Sequence, residues 1–202
     1  NPAAGRSLLC CVTMKGRPMS NLQKPLDFLW FIPSSGDGAY LGSDELSRPN
    51  DPDYFQEIAR AVDRLGYSGV LIPTGVACEE SFVLAANLAA HTERLKFLVA
   101  IRPGTASPAY YARLASTLDR VSRGRLLINI VVGGSEQELA GDGIFLPHDE
   151  RYDHAVEFFY VFNKLIRTGK ADLDGKYIKA RNARLGLPPA QQPAPPLYFG
   201  GS

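Results

Sequence analysis

Five short apolar segments, separated by segments with helical periodicity, constrain the fold of this chain more than any other feature of its sequence. Apolar runs without polar alternation are typical of strands buried on both faces, and such strands joined by helices form a parallel sheet. The sequence therefore predicts an α/β fold. The predicted strands are residues 28–32, 69–72, 95–101, 126–132 and 197–199, and the predicted helices are residues 52–65, 81–92, 108–121 and 151–167.

Local signals support these boundaries. Asp51 and Ser107 each precede a proline, an arrangement typical of a helix N-cap followed by the first helical position. Glu79 and Glu80 precede the second helix, at the end where the helix dipole favours negative charge. Residues 173–177 contain Asp174-Gly175, which predicts a hairpin between the last helix and the last strand.

Two architectures fit this alternation of strands and helices. A doubly wound open sheet would be complete with five strands, whereas a (β/α)8 barrel needs eight strands and about 250 residues. No G-x-G-x-x-G motif follows the first strand, so a Rossmann dinucleotide site has no support. Periodicity alone does not decide between the open sheet and the barrel.

Composition excludes several classes of protein. The chain has 202 residues, of which 45% are hydrophobic and 21% charged, and this excludes a disordered chain. Its 22 basic and 21 acidic residues leave a net charge of +1, which provides no basic field for nucleic acid or an anionic membrane. No run reaches the roughly 18 apolar residues of a membrane span. Three cysteines, two of them adjacent, imply no disulfide framework and favour a reducing cytoplasm.

Both ends of the chain suggest a part of a longer protein. The first residue is Asn1 rather than methionine, and Gly200-Gly201-Ser202 reads as the start of a loop. The apolar run near the amino end is shorter than that of a signal peptide. We expect residues 1–24 to be a disordered leader and residues 25–202 to be the amino-terminal part of a domain.

Candidate site residues follow the predicted strands, because ligands of both architectures bind at the carboxyl ends of the strands. Glycine recurs at these ends, where it allows either a tight turn or the close approach of a ligand. Arg102 could face an anion or pair with a carboxylate on a neighbouring strand. Cys78 has no histidine nearby in the sequence and could simply be a small packed residue. Tyr152 and Arg151 could contact a phosphate, although Tyr152 could equally belong to the core.

Beyond these general patterns, an ordered series of motifs across residues 28–202 resembles the bacterial alkanesulfonate monooxygenases, which are luciferase-like flavin monooxygenases. The motifs are Phe31-Ile32-Pro33, Gly36-Asp37-Gly38, Tyr40-Leu41-Gly42, Asp63-Arg64-Leu65-Gly66-Tyr67, Gly69 to Gly75, Cys78-Glu79, Arg94 to Ala100, Arg102-Pro103, Thr117-Leu118-Asp119-Arg120, Gly124-Arg125, Gln137 to Gly143, Glu150-Arg151-Tyr152 and Pro195 to Ser202.

The resemblance implies a (β/α)8 barrel, of which this chain holds the first five strands with their helices. It implies that reduced FMN and O2 convert an alkanesulfonate to an aldehyde and sulfite, that a separate NAD(P)H-dependent FMN reductase supplies the flavin, and that the protein is a homo-oligomer. Cys78 would line the active site as a catalytic residue, with Ser35 and Arg102 on the substrate. The implied flavin contacts are Asn129, Val131, Val132 and Gly133 beneath the ring, and Tyr152, Gly201 and Ser202 near the phosphate.

Three departures from the family pattern remove polar groups from the predicted mouth of the barrel. Ser35 stands where the family usually has histidine, Val76-Ala77 replaces Arg-Ser, and Val132 replaces a threonine. The family's sulfonate-binding arginines, catalytic histidine and lid follow the fifth strand. We therefore predict little or no turnover by residues 1–202. Alternatives are a related flavin monooxygenase for methanesulfonate or a sulfone, and a half-barrel that binds flavin without catalysis.

Overall fold

The computed structural model describes residues 26–38, 40, 48 and 50–200. The predicted leader and the predicted flavin contacts Gly201 and Ser202 lie outside the described residues. No helix within the described ranges is long and apolar enough to cross a membrane. The elements in chain order are β1 (Leu29–Phe31), α1 (Pro52–Arg64), β2 (Gly69–Ile72), α2 (Ser81–Ala90), β3 (Lys96–Ile101), α3 (Pro108–Val121), β4 (Leu126–Ile130), α4 (Glu136–Gly141), α5 (His148–Thr168), β5 (Lys170–Asp174), β6 (Lys179–Arg184) and β7 (Leu197–Phe199).

A five-stranded parallel sheet with the order β1-β2-β3-β4-β7 forms the centre of the structure. Each strand pairs with the next strand of the sheet along the chain, as in the register that sets Val70 opposite Phe97 and Ile128 opposite Leu197. A doubly wound sheet reverses its strand order at a switch point, and this sheet does not. Winding in one direction is the arrangement of a (β/α)8 barrel, so the predicted partial barrel is confirmed.

The main hydrophobic core lies between one face of this sheet and the helices α1, α2, α3 and α5. Side chains alternate along a strand, and those that face the helices, such as Val70, Phe97 and Ile128, have no exposed surface. Leu98 and Leu127 point to the opposite face and do not join this core. The face that would line the inside of a barrel is therefore separate from the helix-packed face.

The first strand corrects one prediction. Residues 28–32 read as a strand buried on both faces, but the strand is shorter, and Trp30 and Phe31 are 47% and 50% exposed. The reason is its position at the edge of the sheet, where β1 pairs with β2 alone among the described strands. An unbroken apolar run indicates a strand but does not reveal whether a neighbour covers it.

The predicted helix caps are confirmed. The Asp51 carboxylate accepts a hydrogen bond from Asp53 N at 3.0 Å, and the Ser107 hydroxyl accepts one from Tyr110 N at 3.2 Å. Glu80 is the N-cap of α2 and accepts from Val83 N at 2.8 Å. These side chains satisfy amide groups that have no partner within the first helical turn.

The predicted hairpin is confirmed as β5 and β6, and the Glu157 carboxylate of α5 anchors the backbone of its turn. Glu157 accepts hydrogen bonds from the backbone N–H groups of Lys176, Tyr177 and Ile178, at 2.9, 2.8 and 2.8 Å. The bond from Ile178 N, reinforced by those from Tyr177 N and Lys176 N, lowers the pKa of Glu157. The turn is thus held by a charged acceptor on the neighbouring helix.

We expect the hairpin turn to loosen in acid. Because the pKa of Glu157 is lowered in the folded protein, its contribution is present above the ordinary value of 4.5 and is lost as pH falls through the folded value. Hydrogen exchange at the amides of residues 176–178 should therefore lose protection below about pH 4.5. Glu157→Gln should show weaker protection at neutral pH and less change with acid, whereas Asp153→Asn on the same helix should behave like the unmodified chain. Equal profiles for the unmodified chain and Glu157→Gln would contradict this expectation.

Candidate functional site

The carboxyl ends of β2, β3 and β4 lie side by side and bring several predicted site residues to one edge of the sheet. The segment after β2 forms a turn in which Cys78 N donates to Gly75 O at 3.0 Å. Cys78 is half-buried in this turn, with a free thiol. The turn after β1 adjoins it, since Glu79 N donates to Ser34 O at 3.1 Å, and the neighbouring Ser35 is exposed there.

Arg102 follows β3 and is paired with two carboxylates. Its side chain is 7% exposed, and Nη1 donates to Glu138 Oε1 at 2.9 Å and to Asp142 Oδ2 at 3.0 Å. Nη2 donates to Thr74 O at 3.4 Å. The sequence left open whether Arg102 faces an anion or pairs with a carboxylate, and the structure shows the ion pair. Its carboxylates do not come from a neighbouring strand: Glu138 lies in the short helix α4, and Asp142 directly follows it.

The helix α4 is absent from the elements that the sequence predicts. Its N-cap is Ser135, whose hydroxyl accepts from Glu138 N at 3.3 Å. A serine followed three residues later by glutamate is the sequence signature of a capping box, so a signal for this helix is present. Here the Glu138 side chain does not complete the box in the usual way, because it is bonded to Arg102 and to Val76 N.

Glu138 links three of the strand ends. Its Oε1 accepts from Val76 N at 2.9 Å, in the turn after β2, and from Arg102 Nη1 at 2.9 Å, after β3. The hydrogen bond from Arg102 is the main cause that lowers the pKa of Glu138. The carboxylate is thus held ionised at neutral pH, between a buried guanidinium and a main-chain amide.

The predicted ring-binding residues lie at the end of β4, and most of them face away from the helices. Asn129, Val131 and Gly133 are half-buried, whereas Val132 is 7% exposed. A Cβ atom at Gly200 would lie 3.6 Å from Asn129 Oδ1 and 3.6 Å from Val131 Cγ1, so β4 and the end of β7 converge there. Among the described residues, no side chain or backbone group forms a hydrogen bond with the side-chain amide of Asn129.

Position 133 requires glycine because of its backbone conformation and because a side chain lies close to it. Its φ is +82°, and an added Cβ would lie 2.8 Å from Leu139 Cδ2. We expect Gly133→Ala to lower the free energy of unfolding by about 1–3 kcal/mol, because alanine is strained at positive φ and Leu139 must move. Gly134→Ala is a matched control, since a Cβ added there would have no neighbour within 4 Å. Urea denaturation of both variants tests this, and equal midpoints would contradict it.

Tyr152 lies in the first turns of α5, beside the end of the last strand. Its ring centroid is 6.3 Å from that of Phe199 and 5.2 Å from that of His148. Its neighbour Arg151 is 5% exposed, donates to Leu146 O at 3.3 Å and lines a cavity of about 400 Å³ between α4 and α5. The start of α5 therefore contacts the end of β7, which directly precedes the predicted phosphate contacts Gly201 and Ser202.

The site thus contains two groups of predicted residues along one edge. Ser35, Cys78 and Arg102 belong to adjoining strand ends, while Asn129, Val131, Gly133 and Tyr152 surround the ends of β4 and β7. Their roles toward flavin and substrate stay predictions. Sequence reasoning missed Glu138, the residue that joins the loops of the first group.

A comparison with models of protein families assigns this chain to a known family. The model of the luciferase-like monooxygenases matches residues 26–202, nearly all of the chain. The chain belongs to this family. The family resemblance deduced from the motifs is confirmed at this level, while specificity for alkanesulfonates stays a prediction.

Solved structures of other proteins share the fold of this family member. The EDTA monooxygenase EmoA from Chelativorans sp. BNC1 is 19% identical, with a TM-score of 0.76 over 89% of this chain and 50% of its own. DmoA from Hyphomicrobium sulfonivorans is 22% identical, with a TM-score of 0.73 over 89% and 49%. The oxygenating constituent of 3,6-diketocamphane monooxygenase from Pseudomonas putida, in complex with FMN, is 19% identical, with a TM-score of 0.68 over 86% and 51%. The chain spans about half the length of these proteins.

Proposed function

We propose that this chain provides the flavin-binding part of a monooxygenase that uses FMNH2 and O2 to convert alkanesulfonates to an aldehyde and sulfite. An NAD(P)H-dependent FMN reductase would supply the reduced flavin. The observation that carries the proposal is the Asn129 amide, which is half-buried on the inner side of the sheet and lacks a hydrogen-bond partner among the described residues. Membership of the luciferase-like monooxygenase family and likeness to a structure that holds FMN support it.

The inner face of the sheet suits a flat ring with polar atoms along one edge. Ala100 lies opposite Asn129 in the register, and Leu98 lies opposite Leu127, so the surface around the amide is apolar. Gly200 has no side chain to fill the space beside Asn129. An amide both donates and accepts hydrogen bonds, and it can therefore pair with the imide edge of an isoalloxazine. The residues present fit FMN.

Reduced FMN, when bound, supplies the electrons that activate O2. The chain's own contribution is binding, orientation and exclusion of water. We assign Asn129, Val131 and Gly133 to the ring, with Val132 buried behind them. Tyr152 would hold the phosphate together with Gly201 and Ser202, since the amino end of a long helix favours an anion.

On the substrate side, we assign Cys78 and Ser35 to the mouth of the site, where their loops adjoin. Arg102 is already paired with two carboxylates, so we propose that it supports sulfonate binding by shaping the loop after β2. Val76 is 87% exposed on that loop and offers an apolar contact to an alkyl chain. Closure of such loops would shield the reacting oxygen species from water.

Reduced FMN is expected to bind the purified chain, and Asn129→Ala is expected to weaken binding about tenfold because the ring edge loses its hydrogen bonds. Anaerobic fluorescence titration measures both dissociation constants. Asn87→Ala, on the outer surface of α2, is a matched control. Equal affinities for Asn129→Ala and the unmodified chain would contradict the assignment of Asn129, and absence of binding would overturn the proposal.

Turnover is tested by sulfite release from octanesulfonate in the presence of FMN reductase, NADH and O2. We predict little or no sulfite from residues 1–202, and measurable release would contradict that prediction while supporting the proposed reaction. Parallel assays with methanesulfonate and a dialkyl sulfone test the related flavin monooxygenases. Flavin binding without turnover of any substrate, by this chain and by any longer form that contains it, would favour the non-catalytic half-barrel.

A further inference from the structure

We infer that Glu138 is a positioning residue for Cys78, because its carboxylate holds the turn that carries this cysteine at the mouth of the site. The importance of the turn for the reaction rests on the proposed function. The contacts themselves do not: they join the segment after β2 to Arg102 after β3 and to α4 after β4.

The turn needs an acceptor from outside itself. Cys78 N donates to Gly75 O at 3.0 Å and closes a four-residue turn, in which Val76 is the second residue. The N–H of this second residue has no acceptor within a β-turn. Glu138 Oε1 accepts it at 2.9 Å. The Val76 side chain is 87% exposed, so Val76 is held by the hydrogen bond from its N–H group to Glu138 and not by packing of its side chain.

Glu138 is itself held in place by a buried partner. Arg102 has a side chain 7% exposed and donates to Glu138 Oε1 at 2.9 Å, while its Nη2 reaches Thr74 O at 3.4 Å. The segment is therefore held at Thr74 through Arg102 and at Val76 through Glu138. A buried charge with two carboxylate partners has little freedom to move, and its position fixes that of Glu138.

Gly75 shows how closely the carboxylate and the thiol approach each other. A Cβ atom added there would lie 3.2 Å from Glu138 Oε1 and 3.5 Å from Cys78 Sγ. Both groups thus lie within contact distance of the space beside the Gly75 Cα. A displacement of Glu138 would be passed directly to the turn that sets the direction of the Cys78 side chain.

The test measures the turn directly, in a Cys10→Ser, Cys11→Ser background that leaves Cys78 as the chain's single cysteine. Glu138→Ala is expected to raise hydrogen exchange at the Val76 amide about tenfold and the rate of Cys78 with Ellman's reagent several-fold. Glu138→Gln keeps an acceptor and should restore most of the protection. Glu136→Ala, an exposed residue of the same helix, should change neither rate.

Glu138→Asp provides a second route if Glu138→Ala does not fold. Aspartate keeps the negative charge beside Arg102, but its side chain is one methylene shorter and cannot accept from both Arg102 Nη1 and Val76 N. It should raise the Cys78 rate in the same direction as Glu138→Ala. Unchanged exchange and thiol rates in Glu138→Ala, or in Glu138→Asp where Glu138→Ala does not fold, would overturn the inference. Neither readout uses flavin or sulfonate, so the result is independent of whether the proposed reaction is correct.

Discussion

Replacement of Arg125 by alanine is expected to lower the free energy of unfolding by about 3 kcal/mol. The guanidinium lies at the amino edge of the sheet and satisfies several acceptors at once. It donates to Ala89 O at 2.8 Å, Leu95 O at 3.2 Å, Ser122 O at 2.6 Å and Thr92 Oγ1 at 2.9 Å. Loss of the side chain leaves all four acceptors without this donor, at the points where α2 and α3 lead into the following strands.

The effect should depend on geometry as well as charge. Arg125 also lies over the Phe97 ring, with Cζ 5.3 Å from the centroid, and burial lowers its pKa. Lysine keeps the charge but cannot present the planar fork, so Arg125→Lys should lose most of the same stability. Arg120→Ala, at an exposed position of α3, should cost less than about 0.5 kcal/mol. Urea denaturation measures all three variants, and a loss below about 1 kcal/mol in Arg125→Ala would contradict the prediction.

Replacement of Asp119 by alanine is expected to cost about 2–4 kcal/mol and to loosen the last strand. Asp119 has no exposed surface, and it accepts hydrogen bonds from Gln191 N at 2.7 Å and Gln191 Nε2 at 2.6 Å. Gln191 Nε2 also donates to Leu126 O at 2.7 Å. This carboxylate therefore ties α3 to the connection that leads into β7, and its loss leaves the Gln191 backbone N–H and one of the two Nε2 hydrogens without an acceptor.

Denaturation and hydrogen exchange together test the role of Asp119. In Asp119→Ala the free energy of unfolding should fall. Relative to the unmodified chain, hydrogen exchange should accelerate more at the amides of residues 197–199 than at those of β2. Asp119→Asn keeps one acceptor oxygen and should lie between the unmodified chain and Asp119→Ala. Asp153→Ala, on the exposed side of α5, is the control. An Asp119→Ala variant that loses stability without faster exchange in β7 would show that the connection is held by other contacts.

Much of the fold could be predicted because its signals are local. The runs at β2 and β3, the Asp51 and Ser107 caps and the hairpin at Asp174-Gly175 all depend on residues close together in the chain. The predictions are incomplete where the surroundings decide. Edge position exposes β1, and α4 is too short to show a clear helical period.

The candidate site was predictable only in outline. The rule that parallel strands end at a common edge placed Cys78 and Arg102 in neighbouring loops. The partner of Arg102 could not be predicted, because Glu138 lies 36 residues further along the chain and reaches it only through the arrangement of β3, β4 and α4. For the same reason, sequence reasoning missed the bond between Glu138 and Val76, which are 62 residues apart.

The amino-acid sequence by itself determined the kind and order of the elements and, through its motifs, the family, because periodicity, caps and turn residues act over a few neighbouring positions. Only the tertiary structure decided the direction of winding, the exposure of β1 at the edge of the sheet and the carboxylates that hold Arg102. These depend on which strand ends lie side by side, and the free energy that selects this arrangement comes from contacts between residues distant in the chain.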